Sequence, residues 1–202
     1  MSFSSCLVLL GRALSTSTPK EVGVEINGVR WATRNVDRPG TFVHASHSET
    51  SGWFYQWNRR IGWSPIQGTT TNSAGETVWN RLRPTGHTWD AENDPCPEGW
   101  RLPTREEFQS LVNTGSVWTT VNRTNGRLFG TYPNQIFLPA SGVRRHDNGE
   151  RIRVNANGQY LTSTLADHLD MSVWGLFFGD DFAEMQGVFG QAGSSIRCVA
   201  IE

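Results

Sequence analysis

The sequence predicts an α+β domain of short antiparallel strands, one or two helices and extensive ordered loops. Three observations lead there. Apolar residues alternate over short stretches, as in Val22, Val24 and Ile26, and turn-forming pairs such as Asn27-Gly28 bound those stretches. The 21 Gly and nine Pro are spread along 202 residues, which indicates many turns and few long helices. A helix start can be read almost residue by residue at Thr104. Its hydroxyl suits an N-cap, Glu107 can reach back to complete a capping box, and Glu106 and Glu107 face the positive end of the helix dipole.

Residues 1–20 end in Ser15-Thr16-Ser17-Thr18-Pro19 and read as a flexible lead-in, with 21–202 as one folded domain. Asn27-Gly28 predicts a hairpin. Residues 52–57 predict an aromatic strand with Trp53, Tyr55 and Trp57 on one face and Phe54 on the other. The irregular stretch over 58–99 is too long for an ordinary connection, so Trp63, Trp79 and Trp89 are expected to pin it to the core. The helix follows over 105–113, burying Phe108, Leu111 and Val112 and stopping at Gly115. From Gln135 onward the pattern is strand and turn. Ile136–Leu138 comes first, then Gly142–Arg144 turns at Asp147-Asn148-Gly149 and returns through Ile152 and Val154. Asn157-Gly158 leads into Tyr160–Ser163. A further strand sets Trp174, Leu176 and Phe178 on one face and Phe177 on the other, until Gly179-Asp180-Asp181 breaks it. Ser195–Val199 is the closing strand.

Composition removes several classes. A hydrophobic share of 37% is low, but nine Trp and ten Phe bury much area each, enough for a real core. Eighteen basic and 19 acidic residues leave no global field to attract nucleic acid. The one basic concentration, Arg144, Arg145, Arg151 and Arg153, is interleaved with Asp147 and Glu150 and reads as a solvated hairpin. No stretch approaches the roughly 18 apolar residues of a membrane span, so no membrane insertion is expected. The N-terminal apolar run, Cys6 to Leu10, is short and interrupted by Arg12, a poor signal peptide.

The segment CPEGWRLPTREEF (96–108) resembles the signature of the Fibrobacter succinogenes major paralogous domain. Its RLPTREEF part is also similar to the RLPTEAEW segment of formylglycine-generating enzymes. Five more blocks match the first family in order: 26–36, 52–57, 137–144, 158–164 and 194–199. The resemblance spans nearly the whole chain and implies a C-type-lectin-like fold, with the terminal strands together and the late loops on one face. In that plan the helix region lies near the last strand, which implies a Cys96–Cys198 disulfide; the alternative is two buried free thiols. Such a bridge would stabilise by about 4 to 5 kcal/mol in the chain-entropy model. Cys6 is left over.

The chemistry-bearing groups form no constellation that argues for an enzyme, cofactor or metal. His44, His47 and Glu49 supply too few converging zinc donors, and Asp180, Asp181 and Glu184 read as a solvated turn. Asp90, Glu92 and Asp94 read as turn and capping residues. Calcium-dependent lectins use a Glu-Pro-Asn or Gln-Pro-Asp triplet, and the nearest match here is Tyr132-Pro133-Asn134, whose first side chain carries no carboxylate or amide. Formylglycine-generating enzymes are oxidases with a reactive cysteine pair and copper; neither Cys96 nor Cys198 is placed like that pair, so an oxidase is the alternative function.

The remaining feature is the segment 165–193, expected to form loops because Gly179, Gly187, Gly190 and Gly193 interrupt it. Its candidate ligand-binding residues are Asp167, His168, Asp170, Phe177, Asp180, Asp181, Glu184, Met185, Gln186, Phe189 and Gln191, a mix of anchoring aromatics and adaptable polar groups. The segment also resembles the C-terminal region of retroelement-diversified variable proteins, including phage tropism determinants. The expected function is a non-enzymatic adhesion module presenting these loops to a protein or glycan receptor. The expected location is a virion or a cell surface, with a homo-oligomer or a virion assembly partner as further contacts. A structural virion decoration protein is a third alternative.

Overall fold

The structure, a computed structural model, describes residues 20–47, 49–167 and 172–202. Its strands are β1 (Val24–Ile26), β2 (Val29–Trp31), β3 (Phe54–Tyr55), β4 (Gly62–Trp63) and β5 (Trp100–Arg101), followed by the helix α1 (Arg105–Asn113). After the helix come β6 (Ser116–Val121), β7 (Thr124–Thr131), β8 (Asn134–Pro139), β9 (Val143–Arg144) and β10 (Arg151–Ile152). The last four are β11 (Gly158–Asp167), β12 (Ser172–Phe178), β13 (Ala183–Phe189) and β14 (Val199–Ala200). The result is the expected α+β class at that level: small antiparallel sheets around one helix, with long ordered loops. Residues 1–19, and Cys6 with them, lie outside the described residues.

Asn27 and Gly28, at φ 51° and 77°, supply the two left-handed positions that close the β1–β2 hairpin. Both ends of the domain meet there, because β14 inserts between β2 and β5 in the order β1-β2-β14-β5. A second sheet is the meander β6-β7-β8, and a third is β11-β12-β13. The pairs β3-β4 and β9-β10 complete the set. No helix among the described residues is long and apolar enough to cross a membrane.

The capping box forms as the sequence specifies. Thr104 Oγ1 accepts from the Glu107 N–H at 3.2 Å, and Glu107 Oε2 accepts from the Thr104 N–H at 2.7 Å. Arg101 clamps the same carboxylate in a fork, at 2.9 and 2.7 Å. Burial would raise the Glu107 pKa, but these hydrogen bonds prevail and hold it below the usual value. The helix therefore enters at a fixed angle and buries Phe108 and Leu111 among Trp31, Phe129, Leu138, Tyr160, Leu176 and Phe178. This cluster joins the terminal sheet, the meander and the β11-β12-β13 sheet through one helix.

A second cluster holds Val36, Tyr55, Trp57, Leu161, Val173, Val188 and Ile196 around the Cys96–Cys198 disulfide, which closes a separation of 102 positions. Phe54, Trp63 and Trp79 form a third, with the two indole rings 4.5 Å apart. Trp63 and Trp79 thus pin the 58–99 excursion as expected, while Trp89 is half-buried against Trp57. Polar locks tie these clusters together. Arg197, fully buried, donates to Asn35 Oδ1 at 2.9 Å, Ala32 O at 3.0 Å and Phe137 O at 3.0 Å. Arg34 meets Glu21 at 2.6 Å with both side chains buried.

Several expectations are corrected. The meander strands β6 and β7 were not anticipated; Asn122 and Arg123, at φ 45° and 67°, make their tight turn without a glycine. The 52–57 segment contributes only a two-residue strand, and both its faces are buried, Phe54 in one cluster and Tyr55 and Trp57 in another. The closing strand is shorter than expected, since only Val199–Ala200 belongs to a sheet; residues 194–196 run buried, their carbonyls accepting from the Tyr55, Leu161 and Val36 N–H groups. Most consequentially, 165–193 is no run of loops. The expected strand through Trp174, Leu176 and Phe178 forms as β12, and the unexpected β13 pairs with it in unbroken register from Ser172↔Phe189 to Phe178↔Ala183. Gly187 pairs with Trp174 in that register, and a Cβ there would meet nothing closer than the Ser172 hydroxyl at 3.6 Å.

Candidate binding site

Cross-strand register divides the β11-β12-β13 sheet into two faces. Tyr160, Leu176, Phe178, Ala183 and Met185 point at the helix, where Trp174 is also covered by the Arg105 guanidinium at 4.2 Å. Gln159, Phe177, Glu184 and Gln186 lie on the opposite face. There Leu161, Val173 and Val188 are buried at one end, and the other end faces the β9–β10 hairpin.

That hairpin is anchored from within. Arg144, only 1% exposed, donates through Nε to Ser64 O at 3.1 Å, through Nη1 to Gly149 O at 2.5 Å and through Nη2 to Thr69 O at 2.8 Å. Arg151 donates twice to Ser141 O, at 3.1 and 2.9 Å, and lies 5.0 Å from the Phe54 ring centroid. Burial pulls the Arg144 pKa down to about 10, with the nearby Arg151 charge adding to the effect. The expected solvated basic hairpin is thereby corrected: two of its four arginines are fastened to backbone carbonyls. Arg145 and Asp147 do stand in solvent, paired at 2.7 Å, and their hydrogen bond raises the one pKa and lowers the other. Gly193 lets the closing segment pass behind the hairpin, since a Cβ there would sit 2.9 Å from the Arg144 Cβ.

Between hairpin and sheet runs a groove of about 530 Å³. Arg145, His146 and Arg153 line one wall, and Gln159, Phe177, Gln186 and Phe189 the other. Phe189 is 58% exposed, with its ring 4.5 Å from that of His146. Phe177 is half-buried, 5.3 Å from Phe182 and 5.8 Å from the Arg153 guanidinium. Gln159 is held by a bond from its Nε2 to Ser194 Oγ at 2.7 Å. Exposed aromatic area, a guanidinium and fixed amides suit non-covalent recognition. β13 is also an outer strand, and no described strand pairs with its far edge.

The eleven sequence-predicted residues divide accordingly. Phe177, Gln186 and Phe189 line the groove, and Glu184 shares the face of Phe177 and Gln186, exposed and opposite Phe177. Asp180 and Asp181 stand exposed at the β12–β13 turn, which Arg127 fixes by donating to Gly179 O at 2.8 Å and Asp180 O at 2.9 Å. Met185 packs against the helix-side cluster, because alternation turns it away from Gln186. Gln191 is half-buried beyond β13, its backbone oxygen accepting from Gln56 at 2.7 Å. Asp167 ends β11 opposite Ser172, while His168 and Asp170 lie outside the described residues. The sequence argument missed His146, Arg153 and Gln159, although it had noted the basic hairpin that carries Arg153.

Among the described residues no group of three or more His, Cys, Asp or Glu side chains is placed to hold a metal ion. Comparison with family models, with curated proteins and with solved structures yields no match to this chain.

Proposed function

We propose that this chain is a non-enzymatic recognition module of a virion or bacterial surface, binding a receptor in the groove between the β9–β10 hairpin and β13. The observation that carries it is the split sheet. One face is consumed by the core, while the other presents Phe177 and Gln186 beside Arg153, with Phe189 reaching the groove from the end of β13. The unpaired edge of β13 favours a protein receptor over a glycan here, since an extended segment could add to that edge while its side chains enter the groove. The disulfide fits a site of action outside a reducing cytoplasm. Because Cys96 and Cys198 are joined in the core, they also favour binding over the oxidase alternative. The C-type-lectin-like scaffold implied by the sequence blocks belongs to this proposal, as does the kinship with variable recognition proteins.

The test selects ligands from a random peptide display library and from a glycan array, using the oxidised full chain. Peptides that bind wild type should lose at least tenfold in affinity for an Arg153→Glu, Phe189→Ala variant, whose melting curve should be unaltered because both side chains are exposed. Ligands that bind this variant as tightly as wild type would remove the groove from the account. A yield of glycans alone would replace the protein receptor.

A further inference from the structure

A second cavity, of about 750 Å³, shares no lining residue with the groove. It lies across the molecule's disulfide, between Trp89 and Trp100, both half-buried. Each indole is braced by another aromatic ring: Trp89 meets Trp57 edge-on at 5.7 Å, and Trp100 meets Phe42 edge-on at 5.6 Å. The floor includes Cys96, tied to Cys198, together with Leu102. The volume falls in the range of small-molecule sites, about 300–1,000 Å³.

The polar groups narrow the ligand class. Asp94 is fixed by the N–H groups of Cys96 at 2.8 Å and Leu102 at 3.0 Å, one to each carboxylate oxygen. Each oxygen can accept another hydrogen bond. Burial raises the Asp94 pKa, against those two bonds and the charges of Arg60 and Arg101. Glu98 stands exposed at the rim. The Trp89 indole N–H is buried and has no acceptor among the described residues, so that ring offers the trench an apolar face. Arg101 is committed to Glu107 by two hydrogen bonds, and Arg60 donates to the Asp94 carbonyl. Asp94 and Glu98 oppose an anionic ligand, and the Arg60 guanidinium, the one not paired with a carboxylate in this cavity's lining, opposes a cationic one. What fits is a neutral ring with apolar faces for the indoles and a rim of hydroxyls for Asp94 and Glu98.

We propose that this trench binds a neutral saccharide, its pyranose ring set against Trp89 or Trp100 and its hydroxyls on Asp94 and Glu98. The site is independent of the groove and of the partner proposed for it. The experiment follows the indole N–H resonances of the isotope-labelled full chain. The probes are methyl glycosides of glucose, galactose, mannose and N-acetylglucosamine and short oligomers of each. At least one sugar should shift the Trp89 and Trp100 signals saturably. Glu98→Ala should weaken that binding about tenfold, Trp100→Ala should abolish it, and Phe189→Ala should leave it unchanged. Glu98 is exposed, so its variant keeps the test valid even where Trp100→Ala fails to fold. No saturable shift with any sugar would overturn the proposal, as would shifts undiminished in Glu98→Ala. Saturation by inorganic phosphate or tetramethylammonium in place of the sugars would overturn it as well.

Discussion

The two faces of the β11-β12-β13 sheet are built from the same three strands and carry opposite kinds of chemistry. Toward the helix, Tyr160, Leu176 and Phe178 are fully buried in the main cluster, where the Tyr160 and Phe178 rings stack. Toward the β9–β10 hairpin, the alternate positions are Gln159, Phe177, Glu184 and Gln186, and only the far end of that face is closed by Val173 and Val188. A two-residue period therefore lets one strand serve the fold and a ligand at once. It also makes the two roles separable: a change on the helix side should be felt in stability, and a change on the groove side in binding.

Leu111→Ala tests the helix side with the largest expected effect. Leu111 is 1% exposed, and truncating such a side chain should cost about 2–5 kcal/mol in urea denaturation. A cost under about 1 kcal/mol would mean that the helix does not hold this face. Replacing Cys96 and Cys198 together by Ala should cost about 2–4 kcal/mol in the absence of reductant, through the long loop that the bridge closes. Equal stability of the variant and the oxidised wild type would show that the bridge does not form in solution.

Acid should weaken the scaffold. For Glu21, burial would raise the pKa, but hydrogen bonds from Arg34, Thr33 and Gly23 prevail and hold it below 4.5. A depressed carboxylate stabilises the fold above its unfolded pKa, and that contribution disappears as pH falls through the folded value. Wild type should therefore lose stability below about pH 4.5, and Glu21→Gln, destabilised at neutral pH, should show a shallower acid slope. Parallel slopes for the two proteins would remove Glu21 from the acid response. The smallest effect belongs to Thr104→Ala, about 1 kcal/mol from the lost cap, with no change in ligand affinity. A loss of only a few tenths would mean the capping box contributes little.

Local chemistry was legible in the sequence where the interacting residues are neighbours. The box at Thr104 and Glu107 and the turn at Asn27-Gly28 need only a few positions to be recognised, and both form as expected. The cysteine pairing came from a family resemblance, because nothing local in the chain distinguishes a bridge from two buried thiols. Tertiary burial was the harder problem. Arg144 looked like part of a solvated charge run, and only the folded chain brings the Ser64, Thr69 and Gly149 carbonyls around it. Counting glycines as breaks hid β13, although Gly187 sits in register opposite Trp174. The candidate site was half legible. Phe177, Gln186 and Phe189 stood out as aromatic and amide groups, but the alternation of Gln186 with Met185 was lost once residues 183–189 were taken for loops. The opposite wall, His146 and Arg153, comes from a hairpin well upstream that no local pattern connects to it.

Phe177 and Phe178 are consecutive residues on opposite faces of β12, and truncating each in turn tests the division of the sheet most directly. Both Ala variants would be measured for urea stability and for affinity toward a peptide selected on wild type. Phe178→Ala should lose about 3–5 kcal/mol of stability, as a fully buried aromatic does. Phe177→Ala should lose no more than about 1 kcal/mol of stability while ligand affinity falls by about 2 kcal/mol. Equal losses of stability in the two variants, or undiminished binding by Phe177→Ala, would contradict the account.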